Sequence, residues 1–249
     1  MSYLSSSELA SNQKAVPMWP LDQDGFERWN KTADATQRRW VEQAGFTAAA
    51  GELCAVPDAD GALGGYVFGV QEADDITQLA ALAGRLPAGV YRLDCDWSAA
   101  RRRQASLGWG LAAYQFSLYV KPKQEMPLLV LDDDIAKGVE QLFSAQSLVR
   151  DLINTPTEDM GPGDLATVAK DLADEFGASF RCVEGDDLLS ENFPAVHVVG
   201  RAAERAPRLI ELEWGDEGAP ILSLVCKGVC FDTGGLNLKP RNESSSSAP

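Results

Sequence analysis

From Glu52 to Trp214 this chain alternates short apolar runs of strand length with longer stretches of helical period. That alternation admits few arrangements other than layers of helices packed on a sheet. LCAVP at 53–57 and YVFGV at 66–70 read as strands, with Gly61, Gly64 and Gly65 marking the turn between them. DDITQLAALAGRL at 74–86 reads as a helix capped by Asp74 or Asp75 and stopped near Gly84 and Pro87. VYRLD at 90–94 is a strand, and 98–118 a helix with Arg101 to Arg103 on its solvated side. MPLLVLDDD at 126–134 is a further strand ending in acids. The helix after it, 134–154, gathers Ile135, Val139, Leu142, Phe143, Leu148, Val149 and Leu152 into one broad apolar face.

NTPTEDMGP breaks that helix, because Pro156 and Gly161 forbid its continuation. A second helix starts at Pro162 and closes at Gly177. ASFRCVE at 178–184 is a strand, and GDDLL at 185–189 opens a short helix with Asp186 or Asp187 as cap. RLIELEW at 208–214 alternates like a half-exposed strand, whereas PILSLVCKG at 220–228 has the continuous apolarity of a central buried one. The first fifty residues are harder to read; Trp19, Phe26, Trp29 and Trp40 serve there as packing anchors among charged helical pieces.

Charge and composition narrow the chemistry. A net charge of −15 repels the phosphates of nucleic acid, and the basic run Arg101 to Arg103 is too short to reverse that. No run approaches the roughly 18 apolar residues of a membrane span, and the N-terminus lacks the basic-then-apolar order of a secretory signal. Five cysteines without a metal-type CxxC suit reduced thiols in a cytosol. The single histidine, His197, lies in the apolar stretch FPAVHVVG and reads as packed and satisfied. One histidine cannot build a multi-histidine zinc site, and no GxSxG elbow accompanies it for a serine triad. Asp132 to Asp134 could bind a metal, but capping the next helix is their ordinary use.

The chemistry concentrates in LVCKGVCFDTGGLNLKP at 224–240. Lys227 follows an apolar run, where a charged ammonium is costly and a depressed pKa would free a lone pair for a metal. Asp232 lies five residues on, and Gly234 and Gly235 permit close backbone approach. Lys239, stiffened by Pro240, could stabilise an oxyanion. From spacing alone the signal is weak, and a strand-end lysine paired with an aspartate in a glycine turn is the plainer reading. Neither a P-loop ending in GK[ST] nor a GxGxxG is present.

The wording of the motif adds more. KGVCFDTGGLNLKP resembles the signature of the leucyl aminopeptidase (cytosol aminopeptidase) metallopeptidase family, and RDLINTPTEDMGP at 150–162 is similar to the start of that family's catalytic domain. The resemblance is strongest from about 132 to 240. It implies an α/β fold with a small N-terminal α/β domain over 1–125. The beginning of a mixed-sheet peptidase domain would follow over 126–240, then a non-family, disordered tail over 241–249. It also implies an enzyme with two divalent ions, zinc or manganese foremost, that releases N-terminal residues such as leucine from peptides. Lys227 would ligate one ion, Asp232 both, and Lys239 would act catalytically by polarising the scissile carbonyl. Complete relatives of this kind are cytoplasmic hexamers.

The family's further carboxylate ligands and its NTDAEGR-like segment have no counterpart after Pro240, and Cys226 stands where the family prefers glycine. Cys226 and Cys230 read as buried strand thiols rather than a redox pair. The expectation is therefore a C-terminally truncated member, inactive by itself, with an exposed apolar face. A non-catalytic binding or scaffold remnant of such an enzyme is the alternative, and a small-ligand α/β module a further one.

Overall fold

The structure is a computed structural model that describes residues 2–9, 14–71, 76, 77, 79–122 and 124–230. In chain order the elements are β1 (Tyr3–Ser5), β2 (Val16–Leu21), α1 (Gln23–Thr32), α2 (Ala35–Gln43), β3 (Leu53–Pro57) and β4 (Leu63–Gly69). There follow α3 (Ala80–Ala83), β5 (Val90–Leu93), α4 (Ala99–Ala113), β6 (Leu128–Leu131) and α5 (Asp133–Asn154). The last are α6 (Pro162–Phe176), β7 (Ser179–Glu184), α7 (Asp187–Ser190), α8 (Pro194–Gly200) and β8 (Arg208–Glu213). The chain forms two compact units, Met1–Asp151 and Leu152–Pro249.

The first unit is a six-stranded sheet in the order β1-β6-β5-β2-β4-β3, parallel except for the antiparallel pair β3–β4. The pleat sends alternate residues to opposite faces. Met18 and Phe68 join Leu82, Trp109, Ile135 and Val139 from the helices on one face. Leu21 and Val67 join Trp29 of α1 and Val41 of α2 on the other. The α/β layering expected from the alternation is the fold observed.

β2, with sequence VPMWPL, carries two prolines in the middle of a sheet, where proline is normally excluded. Its pairings are staggered: it meets β5 only through Val16–Met18 and β4 only through Met18–Leu21. The Met18 carbonyl accepts from Asp94 on the β5 side, and that of Leu21 from Val70 on the β4 side. Even-numbered residues therefore face β5 and odd-numbered ones β4. Pro17 faces β4 before that pairing begins, and Pro20 faces β5 after that pairing has ended. Neither proline costs the sheet a ladder hydrogen bond.

Several expectations change. Of the three glycines assigned to the β3–β4 turn, only Gly61 has positive φ, 82°; Gly64 and Gly65 lie inside β4. The ring of Trp19 occupies the place where a Gly65 side chain would stand. The stretch 74–86 keeps a single helical turn, Ala80–Ala83, while Asp74 and Asp75 lie outside the described residues. α4 starts at the expected N-cap, Ser98, but ends at Ala113. Arg101 and Arg102 are half-buried rather than solvated: Arg101 lies 4.1 Å above the Trp97 ring, and Arg102 donates to the Trp97 carbonyl at 3.1 Å. Trp40 is exposed, whereas Trp29 is buried. On α5 only Ile135, Ala136 and Val139 are fully buried, and Leu142 and Val149 face out.

In the second unit α6, β7 and β8 follow the sequence closely. The Asp164 carboxylate accepts from the Gly161 amide at 2.9 Å, and Gly177 ends α6 in the left-handed conformation, φ 67°. β7 and β8 form a two-stranded antiparallel sheet. Val183, Ala166, Ala173 and Leu188 are the buried hydrophobic residues of this unit among those described. The largest correction concerns 220–228. This stretch is not a strand: residues 220–230 belong to no regular element, and Ile221 and Val225 are 93% and 94% exposed. A strand exists only by pairing, and no described strand pairs with this one.

Candidate functional site

Three residues were singled out for chemistry, and the structure describes one. Lys227 lies in the irregular segment after β8, with its side chain exposed. The burial assumed for Lys227 in the sequence is therefore not observed. Asp232 and Lys239 lie outside the described residues, as do Gly234, Gly235 and the tail 241–249. Cys226 is exposed and Cys230 half-buried, so they are not a pair of buried strand thiols. Burial, with Asp164 nearby, raises the Cys230 thiol above its ordinary value against the opposing pull of Arg205. All five cysteines are free.

The segment leading into the motif is held at its start by a residue the sequence did not reveal. Arg205 donates to the carbonyls of Thr157 at 3.0 Å and Glu158 at 2.5 Å, and stands 3.5 Å from Asp164. It thereby pins the NTPTEDMGP turn to the amino end of α6. No spacing rule links positions 48 apart, so only the fold exposes this role. Arg208 pairs with Glu184 across the β7–β8 ladder at 2.7 Å. His197 is packed and satisfied: its Nε2 lies 3.1 Å from Asp186 Oδ1. Asp186 stands at the N-cap of α7 but spends its carboxylate on His197 rather than on a cap.

The first unit has a crevice of about 200 Å³ at the carboxyl ends of β1, β5 and β6, where open α/β sheets commonly bind ligands. Arg102 and Asp132 in its lining engage each other. Arg102 Nε stands 3.0 Å from Asp132 Oδ2, an ion pair whose N–H is not aligned for a hydrogen bond, and Nη2 lies 3.4 Å from Asp134. The Ser6 hydroxyl donates to the Leu131 carbonyl at 2.8 Å. The Asp132 carbonyl accepts from Ile135 and Ala136 at the start of α5, while the Asp133 carboxylate accepts from the Ser7 amide at 3.3 Å. Asp132 to Asp134 thus brace the helix start. Among the described residues no group of three His, Cys, Asp or Glu side chains could hold a metal ion.

Comparison with known proteins resolves the ancestry. The profile described as "M17 aminopeptidase, N-terminal domain" matches residues 16–132, and that described as "Cytosol aminopeptidase family, catalytic domain" matches residues 147–247. The chain belongs to the M17 cytosol aminopeptidase family. Peptidase B of Pectobacterium carotovorum subsp. carotovorum (strain PC1) is 39% identical over 153 residues, 57% of this chain and 35% of that protein. The probable cytosol aminopeptidase of Corynebacterium diphtheriae is 30% identical over 216 residues, 79% of this chain and 43% of that protein.

Among solved structures, the cytosol aminopeptidase of Coxiella burnetii superposes with a TM-score of 0.85 at 39% identity. That match covers 96% of this chain and 51% of the Coxiella chain. The bottromycin maturation enzyme BotP in complex with Mn shares the fold, with a TM-score of 0.61 at 24% identity over 79% of this chain and 44% of that one. The chain spans about half the length, or less, of the relatives it matches. No described helix is long and apolar enough to cross a membrane.

Proposed function

We propose that this chain carries the N-terminal domain and the opening part of the catalytic domain of a metal-dependent aminopeptidase that releases N-terminal residues, leucine among them, from peptides. The observation that carries this reading is the catalytic-domain match over residues 147–247, which runs across Lys227, Asp232 and Lys239. In the complete site, two divalent ions would supply Lewis acidity and an activated water. Lys227 would hold one ion through its amine, Asp232 would bridge both, and the Lys239 ammonium would stabilise the oxyanion on the scissile carbonyl. Zinc and manganese suit this nitrogen and oxygen donor set. A domain boundary near 125, a cytoplasmic setting and hexameric assembly belong to the same reading.

The described residues do not by themselves fit two ions. Lys227 is exposed, and no described group of three ligands could hold a metal. A single amine does not retain a divalent ion in water. The proposed activity therefore needs ligands beyond the described residues, and the chain alone is expected to be inactive.

The test is leucine release from a leucyl peptide, with and without added manganese. The chain alone is expected to show none. A chimera that continues this chain into the unmatched part of the Coxiella enzyme is expected to release leucine only with metal, and Asp232→Ala is expected to abolish that release. A folded chimera that binds manganese yet leaves leucyl peptides intact would overturn the aminopeptidase reading. Metal-dependent release by the chain alone would overturn its inactivity.

A further inference from the structure

We infer that the crevice at the carboxyl ends of β1, β5 and β6 is a binding site for a free α-amino acid with an apolar side chain, whose zwitterionic head inserts between Arg102 and Asp132. The geometry stands apart from the aminopeptidase reading, which adds only that this ligand belongs to the class of the released product.

Size, polar groups and wall agree on such a ligand. A cavity of about 150 Å³ admits benzene, so one of about 200 Å³ suits a single small molecule rather than a peptide. Ser106 of α4 lines the crevice, is only 1% exposed, and its hydroxyl has no hydrogen-bond partner among the described residues. A buried hydroxyl left without a partner is costly, and a ligand oxygen would satisfy it. The turn that carries it is fixed, because the Tyr3 hydroxyl donates to the Ser106 carbonyl. Arg102 stands about one helical turn before Ser106 on the same side of α4, and its buried Nε–H has no aligned acceptor. Asp132 lies 3.0 Å from that nitrogen through Oδ2, while its Oδ1 has no partner among the described residues. The guanidinium stays anchored at the Trp97 carbonyl.

A lone anion would be repelled by Asp132, and a lone cation by Arg102. A zwitterion exchanges the misaligned pair for two aligned ones. Its carboxylate takes the Arg102 Nε–H and the Ser106 hydroxyl, and its ammonium takes the Asp132 carboxylate. No net charge is added to the site. The rest of the wall, Leu9, Leu93, Leu131 and Ile135, is apolar and fits an aliphatic side chain.

The experiment follows thermal unfolding of the full chain with L-leucine, glycine, N-acetyl-L-leucine and L-leucinamide as probes. L-Leucine is expected to raise Tm with concentration, as a ligand of the folded state must. Half-saturation is expected at about tenfold or more higher concentration for glycine, which lacks the side chain, and for the two derivatives, which each lack one charge. Ser106→Ala removes a hydroxyl that bonds no described residue, so it is expected to fold like the parent and to bind leucine about fivefold or more weakly. Asp132→Asn is expected to abolish leucine binding, and Asp232→Ala to leave it unchanged. No rise in Tm with millimolar leucine overturns the inference. So does an equal response to all four compounds, which marks a general solute effect, or N-acetyl-L-leucine binding as tightly as leucine. Leucine binding that survives Ser106→Ala and Asp132→Asn undiminished, or that is lost in Asp232→Ala, places the ligand elsewhere and overturns it too. A chimera that releases no leucine bears on the proposed function alone and leaves this site standing.

Discussion

The hydroxyl of Tyr3 is inserted into the backbone ladder of α4 beside Gly110. It donates to the Ser106 carbonyl at 2.6 Å, and the Gly110 amide hydrogen-bonds to it in turn. Its ring meets Phe143 edge-on, with centroids 5.3 Å apart. A side chain at Gly110 would stand 2.6 Å from Tyr3 Cζ and 2.9 Å from Phe143 Cδ2. The third residue of the chain is thus locked into the core by a glycine 107 positions away, and burial pushes its phenol well above the ordinary range.

Tyr3→Phe is expected to destabilise the first unit by about 1–3 kcal/mol, because the buried backbone groups lose their partner. Gly110→Ala is expected to cost a similar or larger amount by overpacking, about 1–3 kcal/mol. Urea titration followed by tryptophan fluorescence measures both. A Gly110→Ala midpoint equal to that of the parent would show that the close approach is not tight.

Glu52 organises the turn between α2 and β3. Its carboxylate accepts from the amides of Thr47 and Ala49 and from the Thr47 hydroxyl, and these bonds hold its pKa below the ordinary 4.5. A depressed carboxylate contributes stability above its unfolded pKa and loses it as pH falls through the folded one. Glu52→Gln should therefore lower Tm at neutral pH, with the gap closing as pH drops below about 4.5. A gap that persists unchanged at low pH would mean that shape, not charge, is what Glu52 supplies.

Arg102 ties α4 to the start of α5 through Asp132 and Asp134, and to the Trp97 carbonyl. Both aspartates are largely exposed, so screening discounts the ion pairs, and Arg102→Ala should cost about 1 kcal/mol. Arg102→Lys should recover little, since an ammonium cannot serve three acceptors in fork geometry. Thermal unfolding of the two variants separates these outcomes; full recovery by lysine would reduce the contact to bare charge.

Limited trypsin digestion should cut after Lys227 before it cuts at Arg208. Lys227 lies exposed in irregular backbone, whereas Arg208 lies in β8 and is paired with Glu184. Mass spectrometry of early digests gives the order. Protection of Lys227 in the isolated chain would contradict the open segment.

How much of this was legible in the sequence differs from element to element. Local signals sufficed wherever one stretch of chain decides its own conformation. α6 carries proline at its first turn and Gly177 at its end, and it forms where those signals place it. β3, β5, β7 and β8 likewise match their apolar patterns closely. The motif at 224–240 resembled a family, and the family match confirms that membership.

Tertiary structure decided what depends on partners distant in sequence. β2 holds two prolines that argue against a central strand, and it becomes one because its neighbours pair with it in staggered halves. Gly65 read as a turn residue, but its missing side chain makes room for Trp19. Segment 220–228 shows the converse: its apolarity says how it prefers to be buried, while a strand also requires a hydrogen-bonding neighbour, and the described structure provides none. Composition sets the preference for burial, but backbone pairing is a property of two chain segments, so the chain's own residues determined its family and well-signalled helices such as α6, and only the assembled sheets decided which apolar runs became strands.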